Sequence, residues 1–203
     1  MIIVVDYGAG NIGSVLNMIL KVGGQAEACS KPDKLRSAKK VLLPGVGSFD
    51  NAMIKLEQLE LVQPLRDCAA IGVPLLGICL GMQLLAQCSE EGTLPGLGLI
   101  PGRVRRFSFN ADQSTLKIPH MGWNQVTAGK KHPLTEGLET SARFYFVHSY
   151  HYECENQADE LFNTQYGYRF SSGVQRGNVM GVQFHPEKSH RFGMQLFKNF
   201  INL

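Results

Sequence analysis

Residues 73–83 read VPLLGICLGMQ, an apolar run that leads into a cysteine with a glycine on each side. Residues 73–78 have the length and composition of a buried strand, and residues 80–88 are predicted to form the helix that follows it. This order of strand, glycine-flanked turn and helix predicts an α/β fold.

The turn itself has the spacing of a nucleophile elbow. Gly77-Ile78-Cys79-Leu80-Gly81 matches G-x-S-x-G with sulfur in place of the hydroxyl. So tight a turn has no room for side chains two residues before or after its centre, which accounts for Gly77 and Gly81. The start of a helix favours a thiolate over a thiol, so Cys79 is predicted to be a nucleophile. The alternative is an inert, buried thiol, and we assign that role to the cysteines without flanking glycines: Cys29, Cys68, Cys88 and Cys154.

The chain before this stretch alternates strands and helices. Strands are predicted at residues 2–5, 25–29 and 40–43, and helices at 11–22 and 49–68, the second with a break near Pro64. This rhythm is typical of a mostly parallel sheet with helices on both faces.

After residue 95 the pattern changes, and it indicates an added antiparallel portion. The predicted segments are short strands within 96–109 and 117–126, an aromatic β-prone stretch at 142–152, two strand-like runs within 167–184 and a closing helix at 192–201.

Composition and charge narrow the class of protein. With 203 residues, of which 44% are hydrophobic and 18% charged, the chain suits one globular domain over residues 1–203. The net charge of +3 is spread without a Lys/Arg block, so a nucleic-acid-binding surface is not indicated. No signal-peptide pattern or membrane-length apolar run is present, and five cysteines without a C-x-x-C pair fit a reducing compartment. We expect a cytoplasmic protein that needs neither a cofactor nor a metal ion.

A cysteine nucleophile needs a base held by a third group. Of the six histidines, His185 stands at the end of a strand predicted at 179–184 and precedes Pro186, which favours extended backbone at His185. Residues two apart in extended backbone project to the same side, so Glu187 can orient the imidazole. His148 and His151 are expected to be packed or hydrogen-bonded, and His132 to lie on the surface.

Together these motifs resemble the triad, or class I, glutamine amidotransferases. The resemblance covers nearly the whole chain, through DYGAGN at 6–11, LLPGVGSF at 42–49, GICLG at 77–81, PHMGWN at 119–124, FVHSY at 146–150 and FHPEKS at 184–189. It implies a flavodoxin-like three-layer sandwich and the catalytic triad Cys79, His185 and Glu187. The finer motifs are similar to those of the branch that releases ammonia for a (βα)₈-barrel cyclase subunit, in a heterodimer that makes imidazole glycerol phosphate and aminoimidazole carboxamide ribotide for histidine biosynthesis.

The resemblance also assigns roles around the nucleophile. By motif position, glutamine-binding residues are Gly47, Gln83, Glu91, Ser149 and Tyr150. Partner-facing residues are Asn11, Pro119, Met121, Trp123, Asn124 and Lys188. For Trp123 alone, core burial would be the default interpretation.

An oxyanion hole is expected from the backbone N–H groups of Leu80 and Val46. Rotation of the Gly45–Val46 peptide would turn the second N–H toward or away from the site. Gly45 tolerates unusual dihedrals, whereas Val46 resists positive φ, so the active orientation is hypothesised to be a minor state that partner binding populates.

Three alternatives remain open at this point. Gly8, Gly10 and Gly13 fit G-x-G-x-x-G, and Glu27 follows 19 residues after Gly8, as in a dinucleotide-binding module. A flavodoxin-like binding module with an inert thiol is the second. The third is a paralogous glutaminase subunit that supplies ammonia to a sugar amidotransferase in surface polysaccharide biosynthesis.

Overall fold

A parallel block of five strands forms the centre of the protein. The computed structural model describes residues 1–110 and 115–203. The strands of this block are β1 (Ile2–Val5), β2 (Ala26–Cys29), β3 (Lys40–Gly45), β4 (Leu75–Cys79) and β13 (Val179–Val182). Their spatial order is β2-β1-β3-β4-β13. The nucleophile strand β4 therefore lies between β3 and β13, and all three end at the same edge of the sheet.

The second half of the chain extends this sheet with antiparallel strands. They are β5 (Cys88–Ser89), β6 (Gly102–Arg106), β8 (Thr127–Ala128), β10 (Tyr150–Cys154), β11 (Glu160–Tyr166) and β12 (Tyr168–Arg176). The order continues from β13 as β12-β10-β6-β5, with β11 and β8 branching from β12, and within it only β5 and β6 pair in parallel. A separate ribbon pairs β7 (His120–Gln125) with β9 (Arg143–His148).

Helices cover the parallel block on both faces. They are α1 (Ile12–Lys21), α2 (Pro32–Arg36), α3 (Phe49–Gln58), α4 (Val62–Ala70), α5 (Leu80–Gln83) and α6 (His190–Asn202). Alternate residues of β1 point into two hydrophobic cores: Ile3 and Val5 pack with α2, α3 and α4, whereas Ile2 and Val4 pack with α1 and α6. The expected three-layer α/β sandwich, with a mostly parallel centre and an antiparallel addition, is confirmed.

Some element boundaries differ from those expected. The break in the helix predicted at 49–68 falls at Leu59–Leu61, where Glu60 has φ 55°, and Pro64 lies inside α4. Pro64 is tolerated there because N–H groups in a first turn have no partner within the helix. The helix predicted at 80–88 ends at Gln83, because the carbonyls of Leu84–Ala86 accept hydrogen bonds from residues 97–100.

Across the described residues, 1–110 and 115–203, no helix combines the length and apolar character needed to cross a membrane.

Candidate active site

The elbow holds Cys79 in a strained conformation. Cys79 has φ 54° and ψ −111°, which a residue with a side chain rarely adopts. A Cβ on Gly77 would lie 2.5 Å from the Gly81 carbonyl oxygen, and a Cβ on Gly81 would overlap the Leu43 carbonyl oxygen. The requirement for both glycines is therefore confirmed, and the turn presents the sulfur at the end of β4.

His185 is paired with Glu187 as the sequence predicts. The His185 Nδ1 and a Glu187 carboxylate oxygen are 2.8 Å apart, and both side chains are almost completely buried. The Ser189 hydroxyl donates to the His185 carbonyl at 2.6 Å, and the His185 N–H donates to the Tyr145 carbonyl at 2.9 Å. These bonds hold the ring in place, so Glu187 can fix the tautomer in which Nδ1 carries the hydrogen.

The electrostatics of His185 favour its protonated form. Burial of the ring lowers the pKa, but the adjacent Cys79 sulfur and the Glu187 carboxylate outweigh burial and raise the pKa of His185 to about 10. Its second nitrogen, Nε2, is buried and makes no hydrogen bond to the described residues. The arrangement can therefore stabilise a negative sulfur and deliver a proton from Nε2.

Cys79 and His185 open into one cavity of about 330 Å³. The other residues that line it are Val46, Gly47, Leu80, Gln83, Glu91, Pro119, Val147, His148, Ser149 and Tyr150. The residues proposed for glutamine binding and for the oxyanion hole thus line the same cavity as the sulfur, although they come from three separate parts of the sequence, 46–47, 80–91 and 149–150.

Glu91 provides the acidic wall of this cavity. Its carboxylate accepts a hydrogen bond from the Phe49 backbone N–H at 3.0 Å. Burial raises the pKa of Glu91, while the bond from Phe49 opposes that shift. A partly desolvated carboxylate at this position can bind the ammonium group of an amino acid.

The loop after β3 has its unusual dihedral at a different glycine from the one expected. Gly47 has φ 107°, whereas Gly45 has no positive φ. Gly45 is needed for space instead, because a Cβ there would lie 2.5 Å from the Tyr7 hydroxyl and 2.9 Å from the Gly81 nitrogen. Val46 is 46% exposed and borders the cavity, so the loop is free on one side and tightly packed on the other.

Gln183 is a contact of the nucleophile that sequence reasoning missed. Its side-chain Nε2 lies 3.8 Å from the Cys79 sulfur, and its Oε1 accepts a hydrogen bond from Gln83 Nε2 at 3.0 Å. The signal was present, because Gln183 precedes His185 by two residues in extended backbone and so shares its side. Tyr7 was missed as well: its hydroxyl is buried behind the elbow without a hydrogen bond to the described residues.

The residues assigned to a partner surface are exposed, apart from the half-buried Asn124. Met121 and Trp123 are 62% and 41% exposed, so the default expectation of core burial for the tryptophan is wrong. Trp123 stacks on His190 with ring centroids 5.4 Å apart, and the Lys188 ammonium lies over the Tyr145 ring. Pro119 lines the cavity itself, Asn11 is exposed and caps α1, and Asn124 is half-buried on β7.

The structure also tests the predictions for other histidines and cysteines. His148 and His151 are buried and hydrogen-bonded, as predicted. His132 is half-buried, because its ring accepts the Leu134 N–H and so caps a short 3₁₀ helix. The core assignment of Cys88 is wrong, since this residue is exposed on the short outer strand β5, whereas Cys68 is buried.

The structure removes the physical support for a dinucleotide-binding loop. The third glycine of that motif normally allows close packing of helix and strand, but a Cβ on Gly13 would meet no atom within 4 Å. Glu27 is the second residue of β2 and pairs with Lys34 at 2.8 Å. An acidic residue that binds a ribose would instead lie at the carboxyl end of the strand.

Comparisons with known proteins agree with this geometry. The family model "Glutamine amidotransferase class-I" matches residues 3–203. "Imidazole glycerol phosphate synthase subunit HisH 2" of Pseudomonas aeruginosa is 49% identical over 204 residues, which cover 100% of both chains. The protein of the same name from Methanococcus maripaludis is 48% identical over 202 residues and covers 99% of this chain and 98% of its own.

Solved structures show a similar fold at low identity. "Structure of PurLQS from Thermotoga maritima" has a TM-score of 0.76 at 21% identity, covering 99% of this chain and 97% of the other. A "putative gmp synthase subunit a protein" from Thermoplasma acidophilum has a TM-score of 0.72 at 20% identity, covering 99% and 92%. These likenesses concern the fold alone.

Proposed function

This chain belongs to the class-I glutamine amidotransferases, and from that premise we infer that it is the glutaminase subunit of an imidazole glycerol phosphate synthase in histidine biosynthesis. It hydrolyses glutamine to glutamate and ammonia, and the cyclase subunit of the synthase uses the ammonia as a substrate. The observation that carries this function is the strained Cys79 at a cavity that it shares with His185, whose ring is paired with Glu187. The two relatives of 48–49% identity named above are both described as subunits of this synthase, which favours the histidine pathway over a sugar amidotransferase.

The proposed mechanism begins with attack of the Cys79 sulfur on the side-chain amide carbon of glutamine. The C–N bond then breaks, and the proton on His185 Nε2 goes to the leaving nitrogen, so that ammonia departs and a thioester remains. His185, now neutral, takes a proton from water, whose oxygen attacks the thioester carbonyl and releases glutamate. The Cys79 sulfur leaves as thiolate, which restores the ion pair with His185.

Charge on the amide oxygen is stabilised by two backbone N–H groups, those of Leu80 and Val46. Loss of one such donor typically costs about 10²–10³ in kcat. The raised pKa of His185 supports its role as the proton donor to ammonia, because the ring is protonated at neutral pH.

Glutamine is held by the walls of the cavity. We assign Glu91 to the substrate ammonium, because its carboxylate is partly buried there. Gly47, Gln83, Ser149 and Tyr150 complete the binding site around the amide and carboxylate groups. The chemistry uses only side-chain and backbone groups of this chain.

The partner is a (βα)₈-barrel cyclase subunit, which forms a heterodimer with this chain in the cytoplasm. Its docking surface comprises Asn11, Pro119, Met121, Trp123, Asn124 and Lys188. Support comes from two large exposed apolar side chains, Met121 and Trp123, which lie on β7 shortly after the cavity-lining Pro119, since such residues are enriched at protein interfaces. In this proposal, ammonia released at Cys79 passes from the cavity to the partner's active site.

Reconstitution with the cyclase subunit tests this function. We expect glutamine-dependent synthesis of imidazole glycerol phosphate from the mixture, and a glutaminase rate that rises steeply over that of the isolated chain. Cys79→Ala should abolish glutamine-dependent synthesis but leave synthesis from added ammonium unchanged. Equal glutaminase rates with and without the partner would overturn the activation, and a glutamine-competent Cys79→Ala complex would overturn the mechanism.

A further inference from the structure

A row of buried histidines outside the proposed triad connects strand β7 to the wall of the cavity. His120 Nδ1 and His148 Nε2 are 2.9 Å apart, and His148 Nδ1 lies 2.7 Å from the Tyr150 carbonyl oxygen. At the other end, His120 Nε2 is 3.2 Å from Asn124 Nδ2. Neither histidine has a role in the mechanism above, although both are more than nine-tenths buried.

The direction of every bond in this row is determined by its ends. A carbonyl oxygen only accepts, so His148 Nδ1 must carry the hydrogen toward Tyr150. Burial lowers the pKa of His120 to about 4 and that of His148 well below its usual value, so both rings are neutral. Nε2 of a neutral His148 is then an acceptor, and His120 Nδ1 must donate to it.

The Asn124 amide completes the row with the same direction. Its Oδ1 accepts the Gln125 N–H at 2.8 Å, and its Nδ2 donates to the Gln165 carbonyl at 2.9 Å. The nitrogen therefore faces His120 and donates to Nε2. The donors run from Asn124 to His120, then to His148, and end on the Tyr150 carbonyl.

The Tyr150 carbonyl is also the point from which Gln83 is oriented. Gln83 Nε2 donates to this carbonyl at 3.1 Å and to Gln183 Oε1 at 3.0 Å. Both amide hydrogens of Gln83 are thus occupied. The hydrogen bonds of the Gln83 side chain to the described residues both use Nε2, so its Oε1 remains available in the cavity that Gln83 lines.

We propose that His120 and Asn124 are positioning residues for glutamine binding, which act through His148 and the Tyr150 carbonyl to hold Gln83 with its Oε1 toward the substrate. The inference rests on the proposed function, because it assigns a substrate contact in the same cavity. An acceptor at this place fits an N–H donor of the substrate, either the side-chain amide or the ammonium group. Neither His120 nor Asn124 touches the substrate.

A pair of substitutions separates the hydrogen bond from the volume of the ring. In His120→Asn, the amide nitrogen replaces imidazole Nδ1 and can still donate to His148, whereas His120→Leu removes the donor. With the cyclase subunit present, we expect His120→Leu to raise the KM for glutamine about fivefold to tenfold, the value of about one hydrogen bond. The KM of His120→Asn should stay within about twofold of wild type, and kcat should change little in both. Equal KM values for wild type and His120→Leu would overturn the proposal.

The wild-type chain allows a second test that does not depend on activity or on the stability of a variant. Long-range ¹H–¹⁵N spectra distinguish the two neutral imidazole tautomers. We expect both His120 and His148 to carry the hydrogen on Nδ1 throughout the neutral pH range. A hydrogen on Nε2 of either ring would contradict the hydrogen-bond directions on which the proposal rests. Absence of glutaminase activity with these tautomers present would refute the proposed function and leave the row intact.

Discussion

Two buried tyrosines show how a single hydrogen bond changes what a buried hydroxyl contributes to stability. The Tyr152 hydroxyl donates to the Ile100 carbonyl at 2.7 Å, whereas the equally buried Tyr7 hydroxyl has no hydrogen-bond partner among the described residues. Desolvation by burial raises the pKa of both phenols, and the Cys79 sulfur adds to the shift at Tyr7. Both hydroxyls are therefore neutral, and they differ in what each gains from folding.

We predict opposite outcomes when each tyrosine is replaced by phenylalanine. Tyr152→Phe should lower the free energy of unfolding by about 1–3 kcal/mol, because it leaves the buried Ile100 carbonyl without its donor. Tyr7→Phe should leave it unchanged or raise it by up to about 1 kcal/mol, because the lost hydroxyl had been desolvated without compensation. Urea unfolding of both variants measures the difference. Equal destabilisation by the two substitutions would contradict this account.

The charge state of His185 is the residue-scale property on which the proposed chemistry depends. Its pKa is raised to about 10 in the folded protein, compared with about 6.5 in an unfolded chain. The raised value means that protonation of His185 contributes stability that is fully present below about pH 6.5 and is lost as the pH rises through about 10.

We predict that Cys79→Ala lowers the pKa of His185. Without the sulfur, only the Glu187 carboxylate remains to raise the pKa against the effect of burial, which lowers it. Titration of the histidine side chains by NMR measures the shift, with His120 as an internal control, because burial is the cause of its own lowered pKa. An unchanged pKa at His185 in this variant would show that the sulfur and the imidazole do not interact.

The glycines differ in how strongly the packing of helices and strands depends on them. Gly81 has no room for a Cβ beside the Leu43 carbonyl, so it determines how closely α5 approaches β3. Gly13 lies in α1 with an ordinary φ and open space around its Cα. The same residue type is therefore indispensable at one helix and replaceable at the other.

We predict that Gly81→Ala destroys the elbow, whereas Gly13→Ala stabilises the protein. A methyl group on Gly81 would force β3 and α5 apart, with loss of soluble protein or of most of its stability. Gly13→Ala should raise the free energy of unfolding by up to about 1 kcal/mol, since glycine costs about that much in a helix. Thermal unfolding compares the two. A tolerated Gly81→Ala would contradict the packing described for the elbow.

The elements that local sequence could predict are those with uninterrupted apolar patterns. Strands β1 and β4 and the amphipathic helices α1 and α6 follow the expected segments within one or two residues. Strand β11 was missed, because the buried polar residues Glu160 and Thr164 interrupt its apolar pattern. Glu160 is compensated by Arg169 and Ser171 of the neighbouring strand, and such partners across strands cannot be recognised from one segment. The five-residue helix α2 was missed too, although Pro32 at its first turn was a signal.

The site depends on the whole molecule more than on any element. Cys79, Ser149 and His185 come from separate parts of the chain, and the order β3-β4-β13 brings the first and the last to one edge of the sheet. The motifs predicted which residues to expect there. They did not single out Gln183, although its spacing from His185 was a signal, and they did not predict the histidine row, because that contact depends on how β7 and β9 pair.

The positions of Cys79 and Cys88 in the whole molecule give their thiols different accessibility. Cys79 is buried at the cavity beside His185, whereas Cys88 is exposed at the outer strand β5 far along the sheet. A reagent that reacts with any accessible thiol would prefer Cys88. A reagent that binds as glutamine does should react with Cys79, despite the burial of its sulfur.

Labelling with a glutamine-like chloroketone therefore tests the central claim most directly. Mass spectrometry of the digested protein should find one equivalent of label on Cys79, with protection by excess glutamine, no label in Cys79→Ala and full label in Cys88→Ser. Label on Cys88 in place of Cys79, or label on Cys79 that glutamine does not prevent, would contradict the assignment of Cys79 as the nucleophile that attacks glutamine.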